Sequence, residues 1–429
     1  MTARTESAFL AAAALVAGAG TAVVTVAAGE GVTIDAPIAV LTFLMAFGGV
    51  LAAVRVWAPR GTRFLLPPVA LLAALGSVEI FRIDRDLGRL QRLWLLVAAG
   101  VAVITLGLLR TRGTVVLRRF RYLFLAGALI LLLLPLLPSG LPLGGATVNG
   151  SRLWVQLEVG RRTLSFQPGE GAKVLLVVFF ASYLAERRHA LAALPRRLGP
   201  VALPEPRQLL PILLAFGLSS GVLVYEGDLG ASILLFGVFV VMLYAATERP
   251  FYLAAGGALV AGGAWAASRA FGRVAVRVEA WLHPFEHYTG SGYQVAQGVF
   301  ALGDAGLLGT GLGSGSPYLI PAAATDFVFV AIVEETGLAG GFAVLAAFGF
   351  LVTVGVGIAL RAGGAFRSLL AMGLSITLAL QTVLIVGGVL RLLPLTGVTL
   401  PFVSYGGSSL LANFAIVALL EQISHEERA

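Results

Sequence analysis

The sequence predicts an all-α polytopic membrane protein. Hydrophobic residues make up 58% of the chain and charged residues only 12%, where a soluble domain carries about 25% charge. The mean hydropathy is +0.93. Apolar runs of about 20 residues, the length that crosses a bilayer as a helix, recur from one end of the chain to the other.

About twelve spans follow in order. The first, Ala8–Ala28, has a short charged start, but its apolar stretch is long for a signal sequence and a second span, Ile38–Trp57, comes at once. Phe64–Phe81, Leu93–Leu109, Tyr122–Leu137 and Ala172–Ala185 are separated by arginine-rich or polar connections. Leu209–Val224, Ala231–Ala246 and Tyr252–Ala267 complete the first nine. Phe327–Leu360 is too long for one straight crossing, so it tilts or extends past the bilayer. Ser368–Leu390 and Thr399–Leu420 close the set.

Arginine sets the orientation. Three loops on one side hold Arg55, Arg60 and Arg63, then Arg110, Arg112, Arg118, Arg119 and Arg121, then Arg187, Arg188, Arg196, Arg197 and Arg207. On the other side Arg82, Arg85, Arg89 and Arg92 are interspersed with Asp84 and Asp86. The positive-inside rule then puts both termini in the cytoplasm. The net charge of +8 is mostly this topology signal. A nucleic-acid partner would need a soluble basic face, which the pattern lacks. Cysteine is absent, which excludes disulfides and thiolate metal sites.

Two long segments fall outside the spans, both on the external side. Pro138 to Gly171 contains Asn149-Gly150-Ser151-Arg152-Leu153-Trp154, and its Trp154 and Phe166 suit a chain lying along the headgroup boundary. Phe271 to Asp326, between spans nine and ten, is the longest such stretch, and loops of this length are functional or disordered. Its aromatic and glycine content argues against disorder. The glycines from Gly303 to Gly315 fit neither a Walker A motif nor a dinucleotide fingerprint, and no strand precedes them. They suit a tight re-entrant loop. His283 and His287 are four apart, but Pro284 disfavours a helix-borne zinc pair.

Of thirty basic residues only one, Lys173, is lysine. A compact ammonium kept among so many guanidiniums points to a site that needs a point charge. Glu170 lies three residues before it, on the same face of a helix. A charge pair at a membrane boundary reads as functional, against the plainer reading of a snorkelling lysine. Plainer readings stand beside the other candidates too. Asp228 and Asp326 could cap the helices that follow them. Ser404 to Ser409 could serve close packing, with Gly406 and Gly407 relaxing the backbone. Asn413 reads as an interhelical hydrogen-bond donor.

Five blocks carry a resemblance. They are Gln167-Pro168-Gly169-Glu170; Asp228-Leu229-Gly230; Gly292-Tyr293-Gln294 with Gly309-Thr310-Gly311-Leu312-Gly313; Thr325-Asp326-Phe327 with Glu334-Glu335-Thr336-Gly337; and Leu393-Pro394-Leu395-Thr396-Gly397 running into Ser404-Tyr405-Gly406-Gly407. Together, in order from about Phe64 to Leu420, they closely resemble the SEDS (shape, elongation, division and sporulation) family of RodA and FtsW.

The resemblance implies a peptidoglycan glycosyltransferase of about ten spans. It would polymerise lipid II on the outer face of the bacterial cytoplasmic membrane, release undecaprenyl diphosphate and act with a class B penicillin-binding protein. Residues 1–63 would then be an added helix pair, 64–424 the core and 271–326 its external loop. Arg152, Glu170, Lys173, Asp228, Gln294, Asp326 and Ser404 become the candidate substrate-binding residues, with the two cations facing the diphosphate. No cofactor is implied; a divalent ion bridging the diphosphate would leave no dedicated ligand motif. Where the family carries the aspartate thought to deprotonate the acceptor hydroxyl, this chain has His287. An imidazole is a sensible general base near neutral pH, but it cannot form the carboxylate–lysine pair the resemblance implies. Glu286, adjacent, could supply a carboxylate. Glu226-Gly227 replaces the usual Gln-Pro before Asp228, and Gly171 replaces an aliphatic residue after Glu170. Two other readings stay open: a non-catalytic scaffold for the penicillin-binding protein, and a transporter of the lipid-linked precursor.

Overall fold

In a computed structural model, residues 1–138, 143–148, 151–159, 162–193, 196–198, 201–203 and 206–428 are described. Asn149, Gly150 and the backbone joining Arg196–Arg207 in part lie outside them. The helices in chain order are α1 (Ala3–Ala27), α2 (Asp35–Trp57), α3 (Leu66–Ile83), α4 (Arg85–Leu109), α5 (Val115–Arg119), α6 (Arg121–Leu133), α7 (Pro168–Ala192), α8 (Pro206–Glu226), α9 (Leu229–Thr247) and α10 (Pro250–Ala270). Then come α11 (Gly272–Leu282), α12 (Tyr293–Ala305), α13 (Val328–Arg361), α14 (Ala365–Val389) and α15 (Gly407–Glu427). Among the described residues eleven helices are long and apolar enough to span a membrane, and the shorter apolar segment Arg121–Leu136 accounts for the remaining run. The chain is an integral, polytopic all-α membrane protein.

The overlong run resolves at Gly337, whose φ of 74° and ψ of −176° interrupt the helical path within α13. Glycine is needed there, because a Cβ would meet the Leu307 carbonyl oxygen at 2.3 Å. The segment before α7 carries regular structure. It forms an antiparallel sheet of β1 (Leu143–Val148), β2 (Ser151–Val159) and β3 (Arg162–Phe166), in that order. Trp154 pairs with Ala146 and Val155 with Phe166. Two short strands, β4 (Arg196–Leu198) and β5 (Val201–Leu203), pair in the loop before α8.

The chain divides into two compact units. The first holds residues 1–108, 263–354 and 381–421. In it α1 packs on α2 and α3, with Gly18 against Val40 and Gly20 against Val78 so closely that a Cβ would clash at 2.3 and 2.6 Å. Lipid tails are as apolar as leucine, so such small-residue contacts and dispersion, rather than hydrophobic transfer, hold helices together in a bilayer. Phe47 packs between Phe43 and Phe414, both at a centroid distance of 5.8 Å. Asp35, at the start of α2, accepts from Arg92 at 2.6 Å and Arg89 at 2.9 Å, tying the N-terminal helix pair to α4.

The second unit holds residues 109–262, 355–380 and 422–429. Phe239 packs between Phe180 and Phe216 at 5.4 and 5.1 Å. Gly373 lets α14 approach Met242 and Val177. At one end Glu426 accepts from the Thr114 backbone amide at 2.7 Å and its hydroxyl at 2.6 Å.

Candidate active site

In the second unit the lone lysine meets its expected partner. Pro168 opens α7 at a position where its missing N–H costs nothing. Glu170 follows in the first turn, where a carboxylate complements the helix dipole. Lys173 Nζ donates to Glu170 Oε1 at 3.0 Å, and both residues are buried. The other oxygen, Glu170 Oε2, makes no hydrogen bond among the described residues. Arg152, on β2, donates through Nη2 to the Leu137 carbonyl at 2.5 Å, so one arm of its guanidinium closes the end of the α6 segment. Asp228 caps α9, accepting from the Ala231 amide at 2.8 Å. Gly227, at φ +86°, makes the turn before it.

The remaining candidates lie in the first unit. Ser404 is buried and donates to the Thr325 carbonyl at 2.5 Å, while its hydroxyl accepts from the Leu400 amide at 2.9 Å. The Tyr405 amide donates to the Ala324 carbonyl at 2.8 Å, so the Ser-Tyr-Gly-Gly and Thr-Asp-Phe blocks are bound to each other. Gln91 on α4 adds a bond from Nε2 to the Ser404 carbonyl at 3.2 Å. Ser404 therefore braces the Asp326 segment. Asn413 donates within its own helix, to Ser409 at 3.2 Å, not between helices.

The long connection between α10 and α13 is built on α11. Trp281 and Arg391 clamp its end: the indole donates to the Arg391 carbonyl at 2.9 Å, and Arg391 Nη2 to the Trp281 carbonyl at 3.1 Å. The chain then turns, and the His287 carbonyl accepts from the Gly290 and Gly292 amides, both at 3.0 Å. Gly292 sits so close to Pro284 that a Cβ would meet its carbonyl oxygen at 2.2 Å. Phe285 of the turn packs on Phe300 of α12, and Tyr288 on Tyr293 and Phe300.

This geometry separates the two predicted catalytic neighbours. Glu286 Oε1 lies 3.5 Å from His283 Nδ1, and it is His283 that the acid accompanies. His287 Nε2 lies 3.3 Å from Oε1 of Glu279, on the last full turn of α11. Each histidine thus has its own carboxylate. Glu279 is the residue that sequence reasoning missed; the weak signal was an acid eight positions before the histidine, on a helix that the following turn reverses.

Gln294 and Asp326 come together. Both line a cavity of about 140 Å³ walled by α11. Gln294 Nε2 donates to the Pro321 carbonyl at 2.8 Å. Burial pushes the Asp326 carboxyl above its ordinary 3.8, opposed by a hydrogen bond from Thr325 and the charge of Arg277.

The glycine tract is folded around a carboxylate of the chain itself. Glu335 Oε2 accepts from the Gly313 amide at 2.9 Å, Oε1 from the Gly315 amide at 3.2 Å and from Arg82 Nε at 3.1 Å. Arg82 Nη2 donates to the Gly313 and Gly315 carbonyls at 3.1 and 2.9 Å. These amides form an anion nest, and Glu335 fills it.

The family model of the FtsW/RodA/SpoVE cell cycle proteins matches residues 68–429. The chain belongs to this family. A peptidoglycan glycosyltransferase RodA of Mycobacterium tuberculosis is 40% identical over 399 residues, covering 90% of this chain and 83% of the relative. Stage V sporulation protein E of Bacillus subtilis is 31% identical over 335 residues, covering 78% and 86%. Among solved structures, a chain of a peptidoglycan synthase complex that coordinates polymerization and crosslinking matches with a TM-score of 0.67 at 26% identity, covering 86% of this chain and 98% of that one. The RodA of Thermus thermophilus matches with a TM-score of 0.58 at 25% identity, over the same shares.

Proposed function

We propose that this chain is a peptidoglycan glycosyltransferase that polymerises lipid II into glycan strands on the outer face of the cytoplasmic membrane. The observation that carries the reading is the likeness to a RodA glycosyltransferase, 40% identical across 90% of the chain. Lys173 and Arg152 supply the cationic chemistry that a diphosphate leaving group needs. Glu170 and Asp228 are polar partners of that chemistry within their unit. The product leaving with the diphosphate is undecaprenyl diphosphate, and the working partner is a class B penicillin-binding protein that crosslinks the strands.

The acceptor base is His287. Glu279 holds the proton on Nε2, which leaves the Nδ1 lone pair to take the proton of the acceptor hydroxyl. The freed oxygen attacks the anomeric carbon of the donor as its bond to the diphosphate breaks. Glu286, paired with His283, is not needed for this step.

One observation favours a second reading, a non-catalytic scaffold: the family's aspartate is replaced by His287. Glycan synthesis from purified lipid II, with and without the penicillin-binding protein, separates them. Polymer made by the wild type and lost in His287→Ala supports the enzyme. Polymer made only by a His287→Asp variant supports the scaffold.

A further inference from the structure

The cavity walled by α11 has chemistry that the transfer step does not use. At about 140 Å³ it suits a group of few heavy atoms, since a cavity of ~150 Å³ takes a ligand the size of benzene. Val276 and Ala280 of α11 and Leu395 from the segment before α15 give it apolar walls. Arg277, Gln294 and Asp326 give it polar ones. An arginine and an acid together bring no net charge to attract a phosphate or a carboxylate. The lining instead matches a small neutral group with one donor, one acceptor and one methyl. Arg277 spends one nitrogen on a long contact to the Thr396 carbonyl, 3.5 Å, and keeps further N–H donors. The bond from Gln294 to Pro321 fixes its amide in the wall.

We propose that this cavity binds the acetamido group of the acceptor hexosamine. Its carbonyl accepts from Arg277 or Gln294, its N–H donates to the Asp326 carboxyl, and its methyl packs on Val276, Ala280 and Leu395. This specifies the substrate recognised by the site proposed above and rests on that reading. The acceptor ring is favoured over the donor ring by the turn that carries His287. That turn runs directly into Ser291 and Gln294 of the cavity lining, and the His287 carbonyl accepts from the Gly292 amide at 3.0 Å, so a ring anchored by its acetamido group is held near His287. Anchoring of this kind turns encounter into positioning.

The test uses full-length protein in detergent with the penicillin-binding protein. Polymerisation is measured with lipid II, with lipid II carrying a free amine on the acceptor ring, and with lipid II deacetylated on the other ring only. The expected result is a KM at least about 10-fold higher for the acceptor-ring amine, because a site built for a group rejects the analogue lacking it. Deacetylation of the other ring should leave KM within about 2-fold. Arg277→Gln and Asp326→Asn, both mild changes of shape, should raise KM for intact lipid II and narrow the preference over the acceptor-ring amine. Equal KM for the intact and acceptor-ring substrates, a preference set by the other ring, or an undiminished preference in both variants would overturn the assignment. A second measurement stands apart from turnover: saturation-transfer NMR with a soluble N-acetylhexosamine disaccharide. Strong saturation of the acceptor acetyl methyl, lost in Arg277→Gln, supports the pocket; even saturation across the sugar contradicts it. Methyl contact without any polymer from intact lipid II would leave the pocket standing and sink the polymerase reading.

Discussion

At the residue scale, Lys173 and Glu170 show how far composition alone can reach. A single lysine among arginines pointed to a site, and helical spacing named its partner. The two form a buried pair at 3.0 Å. Removing one member of such a pair leaves a bare buried charge, at a cost of about 3–5 kcal/mol, whereas replacing both with apolar residues is often neutral. Lys173→Met should therefore lower thermal stability strongly, and Lys173→Met with Glu170→Leu should recover most of it while polymerisation stays lost. Thermal unfolding beside an activity assay checks this; recovery of both would reduce the pair to a structural role. Glu286 teaches the opposite lesson. Adjacency to His287 suggested partnership, but neighbours in a turn point apart, and the carboxylate that reaches the imidazole is Glu279. Asp326 adds a pH dependence with a definite sign. Its carboxyl is raised by burial, so the folded state holds that proton more tightly than the unfolded chain. The resulting stability is complete below the ordinary 3.8 and lost as pH rises through the folded value. Asp326→Asn should flatten the corresponding slope of melting temperature against pH; an unchanged slope would assign it to other groups.

At the element scale the spans were legible because bilayer thickness fixes their length and leaves little freedom. The break in α13 was not, since Gly337 sits in a continuous apolar run and its need for a positive φ arises only where the chain from Gly306 to Gly309 packs against it. Gly337→Ala should cost on the order of 1–3 kcal/mol from the left-handed backbone alone, and more from the collision with Leu307. A thermal melt indistinguishable from wild type would show that the break relaxes freely. The β1–β3 sheet was legible but passed over. Leu153 to Val159 and Arg162 to Phe166 alternate with a period of two, and Asn-Gly is a strong hairpin signal; Trp154 and Phe166, which suit a headgroup boundary, suit strands equally well. The partner of the glycine tract, Glu335, was not legible, because it lies some twenty residues on and is joined to the tract only by the fold. Glu335→Ala should unseat Arg82 and loosen the tract, read as faster amide exchange from Gly309 to Gly315. Unchanged exchange would show that the backbone bonds to the Glu334 and Glu335 carbonyls suffice.

At the scale of the whole molecule, arginine asymmetry leads us to expect both termini in the cytoplasm. Reporter fusions at the C-terminus and in the Arg187–Arg207 loop should read as cytoplasmic, and an external signal from either would reverse the topology. That orientation puts α11 and its loop on the side where lipid II is exposed for polymerisation. The central claim is that this chain makes glycan with a histidine where its family is expected to use aspartate. The most direct measurement is the rate of glycan synthesis from purified lipid II by wild type, His287→Ala and Glu279→Gln, each with the same penicillin-binding protein. A positioned base contributes ~10²–10⁴-fold, so His287→Ala should fall by that much and Glu279→Gln by less, with all three proteins equally folded. Polymer formed by His287→Ala at the wild-type rate would contradict the account.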